Sequence, residues 1–301
     1  MPPNAKPDGV LLLDKPAGVT STRALAAAKR LLAAAKGGHT GTLDPFATGL
    51  LPLVFGEATK FSRFLIDAPK AYEATLVLGE ETESGDPETP VVRRSAERPA
   101  EARIAEVLRA FEGPQDQTPP MHSALHVGGR RLYEYARLGM EVPRAPRRIE
   151  IFALTRLRSD PRSLTLAVRC SKGTYVRVLA ADIGQALGCG AYLGSLRRTA
   201  VGPFSVAEAV RLDDLEADGE EAARARLLPV ETLVEGLPRF GAAAEPATHF
   251  CHGRVIDGDG FDAQAPVAVF APDGRFLGVA EASGDGRLAP ARLMRLPAEI
   301  P

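Results

Sequence analysis

The stretch Gly37-Gly38-His39-Thr40-Gly41-Thr42-Leu43-Asp44-Pro45-Phe46-Ala47-Thr48-Gly49 constrains the rest of the chain more than any other. Four glycines in thirteen residues permit positive backbone torsions and let a partner approach the main chain closely. Within that frame stands one carboxylate, Asp44, and the proline after it disfavours the α region. Asp44 is therefore expected in extended backbone with its side chain projected, five residues beyond a lone His39. Taken alone, such a segment is most simply a glycine-rich turn in which the aspartate accepts hydrogen bonds from nearby amides. Other parts of the chain argue for more.

The segment Gly9 to Asp14 is a short apolar run that reads as a buried strand, broken by Lys15-Pro16-Ala17-Gly18-Val19-Thr20-Ser21. Thr20 or Ser21 can cap the Ala-rich helix that follows, which Gly37-Gly38 is expected to end. The glycines thus follow a helix. A phosphate-cradling P-loop needs them before one, with a Gly-Lys-Ser/Thr ending, so nucleoside triphosphate binding is excluded. Further strands are expected over 50–55, 71–78, 149–157 and 163–170, the last two as an antiparallel pair around Ser159-Asp160-Pro161. Helices are expected over 100–112 and after Arg177, with Leu179, Ile183, Ala186 and Leu187 inward and Gly188 as terminator. The acidic stretch 80–90 reads as a loop, and the six acids between Asp213 and Glu221 as a solvated face.

From Gly128 to Arg148 six arginines face two glutamates. Such runs are usually solvated surface, but Tyr133 and Tyr135 interleave here, and arginine meets phosphate while aromatic planes stack on bases. The formal net charge of −1 gives no global attraction for a polyanion, so a nucleic acid would have to be met by this local basic face. From about Leu237 the character changes to a small β module with a hairpin around Pro272-Asp273-Gly274. Asp257 to Asp262 looks superficially like a calcium loop, but its twelfth position is Ala268, and it reads as a turn.

The 301 residues, 45% hydrophobic, suffice for one large and one small domain. No run approaches the roughly eighteen apolar residues of a membrane helix, and the opening residues lack a signal-peptide layout, so a cytoplasmic protein without membrane association is expected. Cys170, Cys189 and Cys251 are odd in number and widely spaced, which argues for reduced thiols and against both a disulfide framework and a zinc site.

Taken together, the segments 38–49, 14–21 and Ser171-Lys172-Gly173-Thr174-Tyr175-Val176-Arg177 closely resemble the TruB family of tRNA pseudouridine synthases, in order and spacing as well as residues. Lys70-Ala71-Tyr72-Glu73-Ala74, Leu132 to Arg137 and Leu193-Gly194-Ser195-Leu196-Arg197-Arg198 extend the resemblance over about residues 9 to 295. It implies an α+β fold, a mixed and largely antiparallel central sheet flanked by helices, with a catalytic domain over 1–236 and a PUA-like RNA-binding domain over 237–301. It also implies isomerisation of the T-loop uridine at tRNA position 55, with no cofactor and no metal, by a monomer. Asp44 would be the catalytic aspartate, with Tyr72 under the target base and Tyr175, Arg177 and Leu196 completing the pocket. His39 would take the uridine's place in the loop, Lys15 and Pro16 would support the active-site loop, and residues 119–148 would form a thumb whose Arg130, Arg131 and Arg137 hold RNA. If Arg177 pairs with Asp44, it should hold that acid ionised in a dry pocket. One departure stands out: where the family usually has Tyr-Ser-Ala-x-Lys in the thumb, this chain has His122-Ser123-Ala124-Leu125-His126, imidazoles in place of a phenol and a fixed charge. The readings that compete are an inactive RNA-binding protein, which would not need the Asp44, Tyr72, Tyr175 and Arg177 set, and a nucleotidyltransferase, which would need a second histidine at Thr42.

Overall fold

The computed structural model describes residues 7–123 and 125–295. Ala124 of the thumb and the two chain ends included in the expected domain limits lie outside the described residues. A mixed sheet forms the body. In spatial order its strands are Val210–Arg211, Gly9–Lys15, Thr48–Phe55, Ala191–Val201, Lys70–Leu78, Ser163–Cys170, Arg147–Asp160 and Gly113–Gln117. Two neighbouring pairs are parallel, Gly9–Lys15 with Val210–Arg211 and Thr48–Phe55 with Ala191–Val201, and the rest are antiparallel. The two expected strands around Ser159-Asp160-Pro161 do form one hairpin.

Register decides which side chains meet. Tyr72 lies opposite both Val168 and Arg198, and Ala74 opposite both Leu166 and Leu196. Residues opposite one another, and those two apart along a strand, share a face of a sheet. Tyr72, Leu196 and Arg198 therefore point to the side where Ala74, Leu76, Leu166 and Val168 are buried against the helices Ser21–Leu31 and Val176–Ala186. The cavity described below opens at the end of this apolar layer.

The Ala-rich helix runs from Ser21 to Leu31, capped by the Thr20 side chain, which accepts from the Arg23 amide at 3.2 Å. It stops six residues short of Gly37, with Ala33 in the left-handed region at φ 50°. Gly37–His39 is instead a short strand along Thr48–Phe55. Glycine is needed at its start for space: a Cβ on Gly37 would come within 2.9 Å of the Phe55 ring. The acidic loop after Leu78 likewise carries a short strand, Glu80–Thr82, paired with Val91–Arg94. A local pairing of three or four residues leaves little periodicity to read, which is why both escaped the sequence reading.

A second sheet of five strands, Arg239–Gly241, Pro266–Phe270, Phe276–Ala282, Arg287–Leu293 and Ile256–Asp257, contains the expected C-terminal hairpin and the helix Ala244–Cys251 beside it. Its Phe270 and Phe276 share a core with Val10, Leu12, Leu50, Val54 and Phe61 of the first unit, the rings of Phe61 and Phe276 meeting edge-on at 5.2 Å. The two sheets are thus joined by buried apolar surface. Among the described residues no helix is long and apolar enough to cross a membrane.

Candidate active site

Asp44 is held by its neighbours on both sides. The Ser21 hydroxyl accepts from the Leu43 amide at 2.8 Å and donates to the Leu43 carbonyl at 3.0 Å. The buried Lys15 ammonium donates to the carbonyls of Val19, Pro16 and Pro45 at 2.6, 2.8 and 3.3 Å, and the Gly18 amide donates to Pro45 at 2.8 Å. The segment from Lys15 to Ser21 is therefore a brace for the aspartate loop, and Pro16 ends the strand from which that brace begins. Burial pulls the Lys15 ammonium down to about 8, against the opposing pull of Asp44.

The Asp44 carboxylate projects into a cavity of about 130 Å³ lined by Thr42, Tyr72, Ser123, Tyr175, Arg177 and Leu196 among others. Five residues from four distant parts of the sequence, Asp44, Tyr72, Tyr175, Arg177 and Leu196, thus share one wall-to-wall space. Arg177, in the first turn of the helix Val176–Ala186, reaches Asp44 Oδ2 from Nε at 3.1 Å and Asp44 Oδ1 from Nη2 at 3.5 Å. Tyr175 immediately before it is fixed by a paired amide contact: its NH donates to Gln117 Oε1 at 2.7 Å and its carbonyl accepts from Gln117 Nε2 at 3.2 Å.

Arg177 has a second carboxylate. Its Nη1 donates to Asp86 Oδ2 at 3.0 Å and to the Ser84 carbonyl at 3.1 Å, while Nη2 donates to the His122 carbonyl at 2.7 Å. Asp86 is fully buried and also accepts from the Ser84 hydroxyl and the Glu88 amide. One guanidinium thus serves two acids. Arg177 does lower the Asp44 pKa as expected, but its pull does not prevail: burial raises it from the usual carboxylate range, Asp86 adds to the rise, and the attraction of Arg177 and Lys15 offsets only part. Burial likewise raises the Tyr72 and Tyr175 phenols. Neither Asp86 nor Ser84 stands in a motif that the sequence reading singled out; an acid in a turn-rich acidic loop carries no mark of burial.

His39 is not among the cavity-lining residues. It lies at the end of its short strand, half-buried, with Nδ1 enclosed and unpartnered and its pKa lowered by burial and by Arg198. The thumb leaves the sheet after Gln117 and returns at Arg147, its base tied by Arg144 Nη1 donating to the Pro119 carbonyl at 3.1 Å. Arg130 and Arg131 sit on an exposed two-strand turn, and Arg137 ends the helix Leu132–Arg137. The guanidinium carbons of Arg131 and Arg137 lie 5.8 and 5.3 Å from the Tyr133 ring centroid. His122 meets Arg177 through its carbonyl, so the usual tyrosine's replacement leaves that contact intact, and His126 is exposed.

The arrangement offers a largely buried carboxylate, open on the cavity side, against a buried cation, flanked by two phenols and a leucine, a setting for one flat polar ring beside a nucleophile or base. Comparison with known proteins identifies the family. Residues 29–176 match the TruB family pseudouridylate synthase N-terminal domain, 177–235 the tRNA pseudouridylate synthase B C-terminal domain, and 243–294 the pseudouridine synthase II TruB C-terminal domain. The chain is 52% identical over 290 residues to tRNA pseudouridine synthase B of Dechloromonas aromatica (strain RCB), covering 96% of each chain. It is 52% identical over 287 residues to the protein of the same name from Aromatoleum aromaticum, covering 95% of this chain and 92% of that one. Among solved structures it is similar to a chain of a Cbf5-Nop10-Gar1 complex, with a TM-score of 0.74 and 28% identity over 96% of this chain and 84% of that one. A chain of an H/ACA RNP bound to a substrate RNA containing 2'-deoxyuridine gives a TM-score of 0.74 at 25% identity, covering 96% and 85%. The chain belongs to the TruB family of pseudouridylate synthases.

Proposed function

We propose that this protein, acting as a cytoplasmic monomer, converts uridine to pseudouridine at position 55 in the T-loop of tRNA, with Asp44 as the catalytic carboxylate. The observation that supports this most is the Asp44–Arg177 pair in a cavity walled by Tyr72, Tyr175 and Leu196; the relatives named tRNA pseudouridine synthase B supply the RNA. The bond from N1 to the ribose breaks, the base turns, and a bond from C5 to the ribose replaces it; the C5 proton passes to water and N1 regains one. Atoms balance without any electron acceptor. A carboxylate serves this either by attacking the sugar or by removing a sugar proton. A paired, stacked T-loop uridine must first be flipped out, at roughly a few kcal/mol of unstacking. His39 is suited to fill the gap beside the cavity, and Arg130, Arg131 and Arg137 to hold phosphates from the thumb, while the module from Leu237 onward binds the RNA outside the cleft.

The test incubates the enzyme with tRNA tritiated at C5 of its uridines and follows release of tritium to water. Release from wild-type tRNA, lost when position 55 is cytidine, is the expected result. Binding without release would favour an inactive RNA-binding protein, and release independent of position 55 would move the site of action.

A further inference from the structure

Arg198 is among the most completely enclosed side chains of the protein, 2% exposed, and among the described residues no carboxylate forms an ion pair with it. It donates to main-chain carbonyls on two separate pieces of the catalytic loop: Nε to Leu50 at 2.7 Å and Nη2 to Gly41 at 3.0 Å. Nη1 presses on Gly41 as well, within 3.4 Å of where a Cβ would stand. Across the strand pair Arg198 lies directly opposite Tyr72, on the same face, and its guanidinium faces the Tyr72 hydroxyl. Tyr72 lines the cavity and Arg198 does not. A buried cation without a counter-ion is costly to keep, and packed apolar side chains could fill the same space. Lys15 and Lys70 add two more buried ammonium groups near Arg198, each carbonyl-bound and each drawn down to about 8.

We propose that Arg198 is a positioning residue for the isomerisation: it locks the Tyr72 ring against the Gly41 to Leu50 loop that carries Asp44, and sets a fixed positive charge behind the base while that base is detached from its ribose. The proposal rests on the reading of Asp44 and the cavity given above. When the N1 bond breaks, its electron pair stays with the base, and a cation held by carbonyls on both sides of Asp44 stabilises that negative charge without reorganising. A guanidinium can do this and clamp two loop carbonyls at once because its donors diverge in one plane; lysine keeps the charge but not the fork.

The experiment measures single-turnover rates under saturating enzyme, and tRNA affinity in parallel, for Arg198→Lys, Arg198→Met, Tyr72→Phe and the double variant Tyr72→Phe/Arg198→Lys, with Asp44→Asn alongside. Affinity should stay within about twofold, while the rate falls about tenfold for Arg198→Lys and about a hundredfold for Arg198→Met. The double variant should be no slower than its slower parent beyond about twofold, because the two side chains act as one unit. Multiplying losses in the double variant, equal losses for lysine and methionine, or losses confined to affinity overturn the proposal. Should the Arg198 variants fail to fold, Tyr72→Phe decides alone: a slower single turnover at unchanged affinity supports the coupling, and an unchanged rate refutes it. Continued turnover by Asp44→Asn would instead overturn the underlying assignment of the site, whatever the Arg198 result.

Discussion

At the residue scale, the ionisation of Asp44 is set by a contest between burial and one shared guanidinium. Asp44→Asn keeps the shape but cannot ionise, and single-turnover assays should find less than about one hundredth of wild-type turnover, with tRNA binding and thermal unfolding preserved. The pH dependence follows from the direction of the shift. A carboxylate whose folded pKa is raised is active above that pKa and loses activity as pH falls through it; Arg177 and Lys15 are what restrain the rise in Asp44. Arg177→Met removes the larger restraint and leaves Asp86 as an unpaired neighbour, so its rate should fall most at low pH and recover in part as pH increases. A profile parallel to wild type, with weaker affinity alone, would reduce Arg177 to an RNA contact. Asp86→Ala breaks a buried pair while leaving Arg177 bound to Asp44, and urea unfolding should show a loss of about 3–5 kcal/mol.

At the element scale, the aspartate loop works because it is pinned at both ends, and Gly49 marks the tighter pin. It has φ 102°, and a Cβ there would stand 2.3 Å from the Arg198 carbonyl oxygen, where the loop enters the strand Thr48–Phe55 beside Ala191–Val201. Gly49→Ala therefore meets both a disfavoured torsion and a backbone wall, and should cost at least about 2 kcal/mol, read as a lowered urea midpoint with an unchanged slope. Much of this level was legible in the residues. The alternation over 71–78 and 163–170 and the apolar spacing after Arg177 each correspond to an element in place. The helix thought to run to Gly37-Gly38 was not: the alanines after Leu31 continue the helical pattern by propensity, but the chain must turn early to lay Gly37–His39 along Thr48–Phe55, and tertiary pairing overrides propensity.

At the scale of the whole molecule, a chain of net charge −1 must approach a polyanion through a local patch, and the basic 128–148 stretch is the patch proposed for that role. Neutralising Arg130, Arg131 and Arg137 together should lower the slope of log affinity against log salt by about 2 to 3, at roughly 0.7–0.9 per phosphate contact. An unchanged slope would place the RNA on another face. The Arg131 and Arg137 stacks on Tyr133 also predict that the thumb helix is ordered before RNA arrives, since both arginines already have an aromatic partner. By itself the sequence determined the family, the α+β class, the Asp44 motif and most of the set that walls the cavity, because these depend on local patterns and on motifs kept in order along the chain. Only the tertiary structure decided that Asp86 competes for Arg177, that Ser21 braces the aspartate loop beside the expected Lys15, and that Arg198 lies buried behind Tyr72. Burial and charge sharing join residues far apart in the chain, and whether an acid or an arginine is solvated or enclosed is set by what the fold packs against it, a property that its neighbours in sequence do not encode.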